Sequence, residues 1–300
     1  MVDTVDVILP TFNPNLTLLE RAVDSILSQS FSDWTLYIVQ DGGEPSLSDF
    51  IQRINDRRIV FHCLPHAGKA VALNFALRQG TGKYIAYLDD DDLWYPNHLE
   101  VALGPMKDEG VRFVHTDAYE IFVQKERERH LEISRNILHR GGLSDVLLWY
   151  VSHINTVHER ILLEKAGYYD ETRKVFIDWD MLLRLSRHAK PYHVQIVTCE
   201  HFIYVTEENK QTNTISKIHA TDPDYSKRMH EEMFKRALEL LSPDDFVRLV
   251  WELFSKTNQL ADHAVSQKSI QGSSSTASAV QQFLKGRSFL KLCKQWLRKN

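Results

Sequence analysis

Two hydrophobic periods alternate along the first 110 residues of the chain. Short apolar runs rich in β-branched and aromatic residues predict strands at 5–9, 34–39, 59–64 and 84–88. Between these runs, apolar positions recur every three or four residues, which predicts helices over 15–27, 68–79 and 96–110. Strands that alternate with helices indicate an α/β domain with a mainly parallel sheet covered on both faces.

The rest of the chain has a mixed pattern and then a helical one. Apolar runs predict strands at 111–123, 192–197 and 202–205, and helical spacing predicts a helix over 178–188. Ser242 followed by Pro243 and two aspartates is a strong start signal for a further helix. A Ser-rich stretch at 272–282 predicts a linker, and residues 283–300 predict a helix with one apolar and one basic face.

The composition is that of a globular protein, with 43% hydrophobic and 25% charged residues among 300. A net charge of −4 gives no reason to expect a nucleic acid partner. The three cysteines lie far apart and lack metal-type or redox-type spacing, which predicts a reducing compartment. We see neither a signal peptide nor a membrane-spanning run in the sequence, and therefore expect a cytoplasmic protein.

Polar, turn-forming residues follow three of the predicted strands, at 10–13, 41–43 and 89–92. The carboxyl ends of parallel strands meet at one edge of a sheet, where such folds bind their ligands. The third segment is four adjacent aspartates, whose charges repel one another unless a cation lies beside them. Mg²⁺ binds through one or two carboxylates and phosphate oxygens. A cation that holds a diphosphate is the leading interpretation, and a solvated acidic turn is the alternative.

These segments and several later ones resemble a known family. They are VILPTFN at 7–13, SQSFSDW at 28–34, DGG at 41–43, GKA at 68–70 with Asn74, GKYIAYLDDDDLW at 82–94, GYYDE at 167–171 and DWDMLLRL at 178–185. Their order and spacing over about residues 5–205 are similar to those of family-2 inverting glycosyltransferases, in the nucleotide-diphospho-sugar transferase superfamily. The resemblance implies a GT-A fold, which is α/β and Rossmann-like, with a mainly parallel sheet flanked by helices, and here a helical C-terminal appendage.

The resemblance implies a set of nucleotide-sugar contacts. The loop after the first strand lies against the nucleotide, Asp41 accepts a hydrogen bond from the base, which is uracil in the UDP-sugar members, and Lys69 brings positive charge near the diphosphate. The implied nucleotide-sugar-binding residues are Pro10, Thr11, Phe12, Asn13, Asp41, Gly68, Lys69, Asp89 and Asp90. Outside the family context, Asp41 is typical of an Asp-Gly turn and Lys69 of a solvated lysine near a helix start.

The resemblance also implies a metal and a base. Asp91 and Asp89 match the metal ligands of a D-x-D motif, and the ion is Mg²⁺ or Mn²⁺, which both take oxygen ligands. Asp178 matches the general base that takes the acceptor's proton, although the first residue of a helix also suits an N-cap. His201 lies near a late metal-binding histidine of some GT-A enzymes, but the local match is poor. We expect three other histidines to be surface or packing residues: His62, His66 and His115.

The implied activity is metal-dependent transfer of a sugar from a nucleotide-diphosphate sugar to a hydroxyl. The acceptor class is a glycan or a lipid-linked saccharide, as in polysaccharide or O-antigen biosynthesis. One alternative is a nucleotide-sugar-binding module without turnover. The other is a sugar nucleotidyltransferase, which would favour a Gly-rich, basic phosphate loop where this chain has Pro10 to Pro14.

The predicted domains follow from the extent of the resemblance. Residues 1–220 form the catalytic domain, with a nucleotide-sugar half at 1–110 and an acceptor half at 111–220. A helical extension at 221–271, the linker at 272–282 and the basic helix at 283–300 come after it. Two interpretations of that helix stay open: peripheral contact with the inner face of a membrane, or docking onto the catalytic domain or a second subunit of a homo-oligomer.

Overall fold

The computed structural model describes residues 3–44, 46–126, 129–138, 152–173, 175–205 and 225–240. The strands are β1 (Val5–Thr11), β2 (Trp34–Asp41), β3 (Ile59–Leu64), β4 (Tyr84–Tyr87), β5 (Leu93–Trp94), β6 (Phe113–Glu126), β7 (Arg129–Leu138), β8 (Thr156–Glu159) and β9 (Tyr192–Val205). The helices are α1 (Leu16–Leu27), α2 (Ser48–Ile54), α3 (Lys69–Gln79), α4 (His98–Leu103), α5 (Arg160–Ala166), α6 (Ile177–Ser186) and α7 (Tyr225–Leu240). Short 3₁₀ turns lie at Pro105–Lys107 and His153–Asn155.

The strands of the described residues form one open sheet. Strands β3, β2, β1 and β4 are neighbours in that order and run parallel, as predicted. Beside β4 the sheet continues with β8, β6, β9 and β5, and β7 pairs with β6. Of these later pairs only β6 and β9 are parallel. The predicted α/β fold class is confirmed, with a sheet that is parallel in its first half and mixed in its second.

Hydrophobic cores lie on both faces of this sheet. Because successive side chains of a strand point to opposite faces, β1 contributes to both. Val7 packs in one core with α1, and Ile8 packs in the other with α3. Each fully buried aliphatic side chain of this kind stabilises the fold by about 1.5–3 kcal/mol. The paired cores hold β1, β2 and β4 in register, so that their carboxyl ends meet at one edge.

Two predicted elements differ from the structure. The helix predicted over 96–110 is shorter, because Gly104 donates the last backbone hydrogen bond to Glu100 at 3.1 Å and Pro105 has no N–H with which to continue it. The two strands predicted within 192–205 are the single strand β9, whose pairing with β6 shifts register around Asp117. Such a bulge absorbs the polar interruption without ending the strand. The short elements α2, β5 and β8 and the polar strand β7 were not predicted.

The chain divides into two compact units, Met1–Lys227 and Arg228–Asn300. Helix α7 falls within the predicted extension at 221–271, and its buried residues, Met233, Ala237 and Leu238, have helical spacing. The predicted linker at 272–282 and basic helix at 283–300 lie outside the described residues. Within the described part of the chain, no helix has both the length and the apolar character that crossing a bilayer requires.

Candidate active site

A cavity of about 710 Å³ opens at the carboxyl ends of β1, β2 and β4. The structure brings together there most of the residues predicted to bind the nucleotide-sugar or the metal: Pro10, Thr11, Phe12, Asp41, Gly68, Lys69, Asp89, Asp90 and Asp91. Further residues that line it come from the start of α3 and from the segments before and at the start of α6: His66, Ala67, Ala70, Glu171, Thr172, Arg173 and Ile177. These residues therefore lie together at the strand ends, and their binding roles stay predictions.

Asp41 closes one end of this cavity and is buried. Its carboxylate accepts the backbone N–H groups of Ala67 at 2.7 Å and Gly68 at 2.8 Å, and it lies 2.9 Å from Nδ1 of His66. The loop can turn back in this way because Gly68 has a φ of +109°, in a region that L side chains rarely adopt. A carboxylate can accept about four hydrogen bonds, so Asp41 retains acceptor capacity toward the cavity.

His66 is a surface residue, as the sequence suggested, with 57% of its side chain exposed, but it also borders the cavity. Its ring stacks on Phe12 with 4.2 Å between centroids, and both side chains line the cavity beside Asp41. Phe12 remains 46% exposed, which leaves an aromatic face open to a ligand. The proximity of His66 to Gly68 in the sequence is the signal that could have identified it, because the loop returns to Asp41 there.

Asn13, which was predicted to contact the nucleotide-sugar, is not among the residues that line the cavity. Its side-chain oxygen accepts the N–H of Glu44 at 2.9 Å, which joins the loop after β1 to the loop after β2. Gly43 makes this approach possible, because a Cβ built there would lie 2.2 Å from the same oxygen. In this structure Asn13 shapes the loops that carry Phe12 and Asp41.

Asp89 and Asp90 have different partners. Nζ of Lys69 lies 2.8 Å from Oδ1 of Asp89, and Nε2 of His153 lies 3.1 Å from the same oxygen. Asp90 instead accepts the hydroxyl of Thr11 at 2.5 Å, which ties the aspartate run to the end of β1. The first aspartate is thus held by cations and the second by a neutral donor.

The last two aspartates separate into a cavity residue and a structural residue. Asp91 lines the cavity, while its backbone carbonyl accepts a hydrogen bond from Arg21. Asp92 is buried, and its Oδ1 accepts the N–H of Phe202 at 2.8 Å. Asp92 therefore anchors the run to β9, and Asp89 to Asp91 are left to face a ligand.

The charge of the run is only partly compensated. Burial raises the pKa of Asp90 to about 6, and burial together with the negative charges of Asp90 and Asp89 raises the pKa of Asp91 to about 7. Burial acts on Asp89 in the same direction, but Lys69 and His153 outweigh it and hold the pKa of Asp89 well below its usual range. The carboxylates of the run thus carry more negative charge than Lys69 and His153 compensate.

This donor set fits a divalent cation. Asp91 lines the cavity and offers it hard carboxylate oxygens. Among the described residues, no group of three or more His, Cys, Asp or Glu side chains is arranged to hold an ion by itself. A cation at Asp91 and Asp89 would need further oxygen ligands from diphosphate and water, which is how Mg²⁺ is commonly bound.

Asp178 lies beside this run, in the first turn of α6. The helix begins after Phe176, which has a left-handed φ of +55°, and no side chain caps its first N–H groups. Asp178 is therefore not the N-cap that its position in the sequence allowed. Its Oδ1 lies 2.8 Å from Nδ1 of His153, and its Oδ2 lies 3.6 Å from Nζ of Lys69. Burial favours the neutral acid, but these two cations outweigh it and lower the pKa of Asp178.

His153 is the central residue that sequence reasoning missed. It occupies the 3₁₀ turn before β8 and is almost completely buried between Asp89 and Asp178. The contact with Asp178 has ion-pair distance but not the geometry of a directed hydrogen bond. Burial alone would lower the pKa of His153, but the charges of Asp178 and Asp89 raise it to about 9.

The other predicted histidines do not line the cavity, although His201 is close enough to Asp89 and Asp178 for their charges to act on it. His115 is buried and stacks on His193, and His62 packs edge-on against Phe75, as expected of packing residues. His201 lies on β9 opposite Glu120, and burial lowers its pKa to about 4. It is not among the residues that line the cavity, and no metal-binding group of the described residues includes it.

Comparison with known proteins identifies the family. The profile of Glycosyl transferase family 2 matches residues 6–167, which is more than half of the chain. YwdF of Bacillus subtilis, an uncharacterized glycosyltransferase, is 26% identical over 251 residues, which cover 83% of this chain and 90% of YwdF. Escherichia coli WfgD, a UDP-Glc:alpha-D-GlcNAc-diphosphoundecaprenol beta-1,3-glucosyltransferase, is 31% identical over 118 residues, or 39% of this chain and 46% of WfgD.

Other relatives are much longer. The chain spans 18% of an uncharacterized glycosyltransferase of Rickettsia bellii and 22% of one of Rickettsia conorii, at 33% and 30% identity.

Solved structures agree on the fold. S. aureus TarS 1–349 in complex with UDP-GlcNAc superposes with a TM-score of 0.56 at 15% identity, over 79% of this chain and 72% of that one. The complex with UDP gives a TM-score of 0.55 at 15% identity, over 78% and 70%. With the family profile and the cavity at the strand ends, these comparisons lead to one conclusion: the chain belongs to glycosyl transferase family 2 and has a GT-A fold.

Proposed function

We propose that the protein is a metal-dependent inverting glycosyltransferase that moves a sugar from a UDP-sugar to a hydroxyl acceptor, in the synthesis of a polysaccharide, an O-antigen or another glycan. One observation carries this proposal. Asp89 to Asp91 line the cavity at the end of β4. Asp178, in the first turn of α6, is not among the residues that line the cavity, but it lies within 4 Å of Lys69, which lines the cavity and also contacts Asp89. Inverting transfer needs carboxylates in two roles. One set holds the metal that stabilises the leaving nucleoside diphosphate, and another carboxylate accepts the proton of the acceptor hydroxyl.

The nucleotide end supports a uracil-containing donor. Asp41 offers carboxylate oxygens, and the imide N–H of uracil is a donor that matches them. Phe12 presents a partly exposed ring beside Asp41, on which a base can stack. TarS has been solved with UDP and with UDP-GlcNAc, and the name of WfgD specifies a UDP-Glc donor, which favours the same nucleotide here.

The aspartate run supports binding of the diphosphate. Asp91, together with Asp89, would hold Mg²⁺ or Mn²⁺ beside it. When bound, such an ion stabilises the negative charge that grows on the departing nucleoside diphosphate. Lys69 also lines the cavity, and its ammonium group can form ion pairs with the phosphates.

Asp178 supplies the base of the proposed reaction. Its carboxylate accepts the proton of the acceptor hydroxyl while that oxygen bonds to the anomeric carbon. The bond from that carbon to the UDP oxygen breaks on the opposite side of the sugar, so the anomeric configuration inverts. The lowered pKa of Asp178 keeps the group ionised, and therefore able to accept a proton, at neutral pH.

For the acceptor we propose a hydroxyl of a glycan or of a lipid-linked saccharide. The name of WfgD specifies a saccharide on diphosphoundecaprenol as its acceptor, which supports the lipid-linked class. A binding module without turnover is the competing function. It would have no use for a carboxylate at position 178, where this chain has one that is ionised and beside the cavity.

A panel of nucleotide-sugars tests the proposal. Release of UDP from UDP-glucose, UDP-GlcNAc and other donors is measured with Mn²⁺, with Mg²⁺ and with a chelator, using water as the acceptor. We expect one donor to be hydrolysed only with metal. In Asp178→Asn, turnover should fall by about 10²–10⁴-fold, the usual contribution of a general base, while Mn²⁺-dependent binding of UDP is retained.

The controls separate the competing functions. Asp24→Asn removes an exposed carboxylate from α1, outside the cavity, and should leave turnover unchanged. Binding of UDP with no turnover of any donor or acceptor would favour the binding module. A protein that neither binds UDP nor hydrolyses a donor would refute the proposal.

A further inference from the structure

His153 joins two carboxylates that come from different parts of the chain. Nε2 lies 3.1 Å from Asp89, which follows β4, and Nδ1 lies 2.8 Å from Asp178, which begins α6. An imidazole has only these two ring nitrogens, so both of its polar atoms are used in the contact. The ring therefore lies between Asp89, on the proposed metal side, and Asp178, on the proposed acceptor side, and sets the distance between them.

The ring is also held in one orientation. Its side chain is 1% exposed, and it stacks on Tyr87 with 5.3 Å between centroids and 16° between planes. The Tyr87 hydroxyl is in turn bonded to Nε2 of His158 at 2.9 Å. The Thr156 hydroxyl donates to the backbone carbonyl of His153 at 2.7 Å, which fixes the turn. A side chain packed in this way keeps its position when a ligand binds in the cavity.

Lys69, the other cation between the same carboxylates, differs in this respect. Its side chain is 36% exposed, lines the cavity and sits on a flexible stem. When a diphosphate binds, Lys69 can turn toward the phosphates and weaken its 3.6 Å contact with Asp178. The buried ring of His153 then remains 2.8 Å from Oδ1 of Asp178, which leaves Oδ2 for the proton of the acceptor.

We propose that His153 is a positioning residue of the transfer reaction, which fixes the carboxylate of Asp178 relative to Asp89 while Lys69 serves the diphosphate. This inference rests on the proposed function, because it assigns His153 to the base of that reaction. His153 itself touches neither donor nor acceptor in this role. It acts by holding Asp178 in the orientation from which a proton can be accepted.

A double-mutant cycle tests this role. Hydrolysis of the donor identified in the panel is measured for His153→Gln, Asp178→Asn and the double variant, with thermal unfolding of each. We expect His153→Gln to lower kcat by about 10–100-fold, the usual cost of removing an orienting partner, with the KM for the donor changed less than about threefold. The double variant should be no slower than Asp178→Asn, since the histidine acts only through that carboxylate.

A matched control distinguishes positioning from packing. His98 is equally buried, stacks on Trp94 and bonds to Thr198, away from the carboxylates. His98→Gln should lower the unfolding temperature but leave kcat of the folded enzyme unchanged. His153→Asn serves as a second variant where His153→Gln folds poorly.

The outcomes separate the two proposals. Multiplied losses in the double variant, or a kcat for His153→Gln equal to that of the unmodified enzyme, would overturn the positioning role while the proposed function stands. Failure of both His153 variants to fold would overturn it as well, by showing that the residue serves stability. Absence of donor turnover and of UDP binding in the unmodified enzyme would overturn the proposed function, and this inference with it.

Discussion

The two ends of the cavity are held by different kinds of interaction. At the nucleotide end, Asp41 accepts the backbone N–H groups of Ala67 and Gly68, which are neutral donors fixed by the loop. At the other end, Asp89 and Asp178 are held by the charged side chains of Lys69 and His153. Backbone donors keep their positions when a ligand arrives, as does the buried ring of His153, whereas the more exposed side chain of Lys69 can exchange partners.

This difference indicates two roles. In the proposed function, the nucleotide end would be a recognition surface that is already formed in the folded protein, because the described donors to Asp41, at His66, Ala67 and Gly68, belong to one loop. At the carboxylate end the negative charge is only partly compensated, and the raised pKa of Asp91 reflects burial and the charges of its neighbours. A bound cation would compensate the remaining negative charge. Changes at the two ends should therefore affect different ligands, and variants at each end can test this separation.

Among the variants that compare the two ends, Asp91→Asn should have the largest effect. A metal at this site would contribute several kcal/mol to the stabilisation of the leaving group, so we expect turnover to fall roughly 10²–10³-fold. The Mn²⁺ concentration for half-maximal turnover should rise, because one anionic ligand is lost. Donor hydrolysis across a Mn²⁺ series measures both changes. An unchanged Mn²⁺ dependence in this variant would mean that Asp91 is not a metal ligand, and would contradict the role proposed for the carboxylate end.

A smaller effect, at the other end, is expected from Asp41→Asn. A hydrogen bond to a charged group is worth about 1.5–3 kcal/mol, so UDP should bind at least about tenfold more weakly. Binding of pyrophosphate with Mn²⁺ should change little, because that ligand does not reach Asp41. Calorimetric titration with each ligand gives the two affinities, and Asp33→Asn, an exposed carboxylate, is the control.

The affinity of Asp41→Asn for pyrophosphate shows whether the two ends of the cavity bind their ligands independently. Asp41 also holds the loop that precedes Lys69, through Gly68. If Asp41→Asn weakened pyrophosphate as much as UDP, the loop would be transmitting the change to Lys69. The two ends would then form one unit, contrary to the comparison.

The sequence predicted the nucleotide end and the aspartate run because both are local. Asp41 and Asp89 each follow an apolar strand directly, and parallel strands bring such positions to one edge. The same reasoning placed Lys69 correctly, at the start of α3. The separate fate of Asp92 could not be predicted, because its partner Phe202 is 110 residues away on β9.

His153 illustrates why the rest of the site could not be predicted. Its contacts with Asp89 and Asp178 depend on the antiparallel pairing of β4 with β8, and β8 is only four residues long. A four-residue segment with one apolar side chain gives no periodic signal. A single histidine before it is also indistinguishable from a packing residue. Only the assembled sheet places the ring between two carboxylates.

The smallest effect, and the finest test of the comparison, is expected from Phe12→Ala. Stacking of an aromatic pair is worth about 0.5–1.5 kcal/mol, so loss of the ring should weaken UDP by about twofold to tenfold. Phe12→Tyr keeps the ring and should keep the affinity. Because Phe12 is 46% exposed and its ring partner is His66, the unfolding temperature should change little in either variant. Titration of both variants with UDP and with pyrophosphate measures the effect. A loss for UDP alone would support stacking of the base on Phe12, beside Asp41. Equal affinities for UDP in the Ala and Tyr variants would show that the base does not stack on this ring.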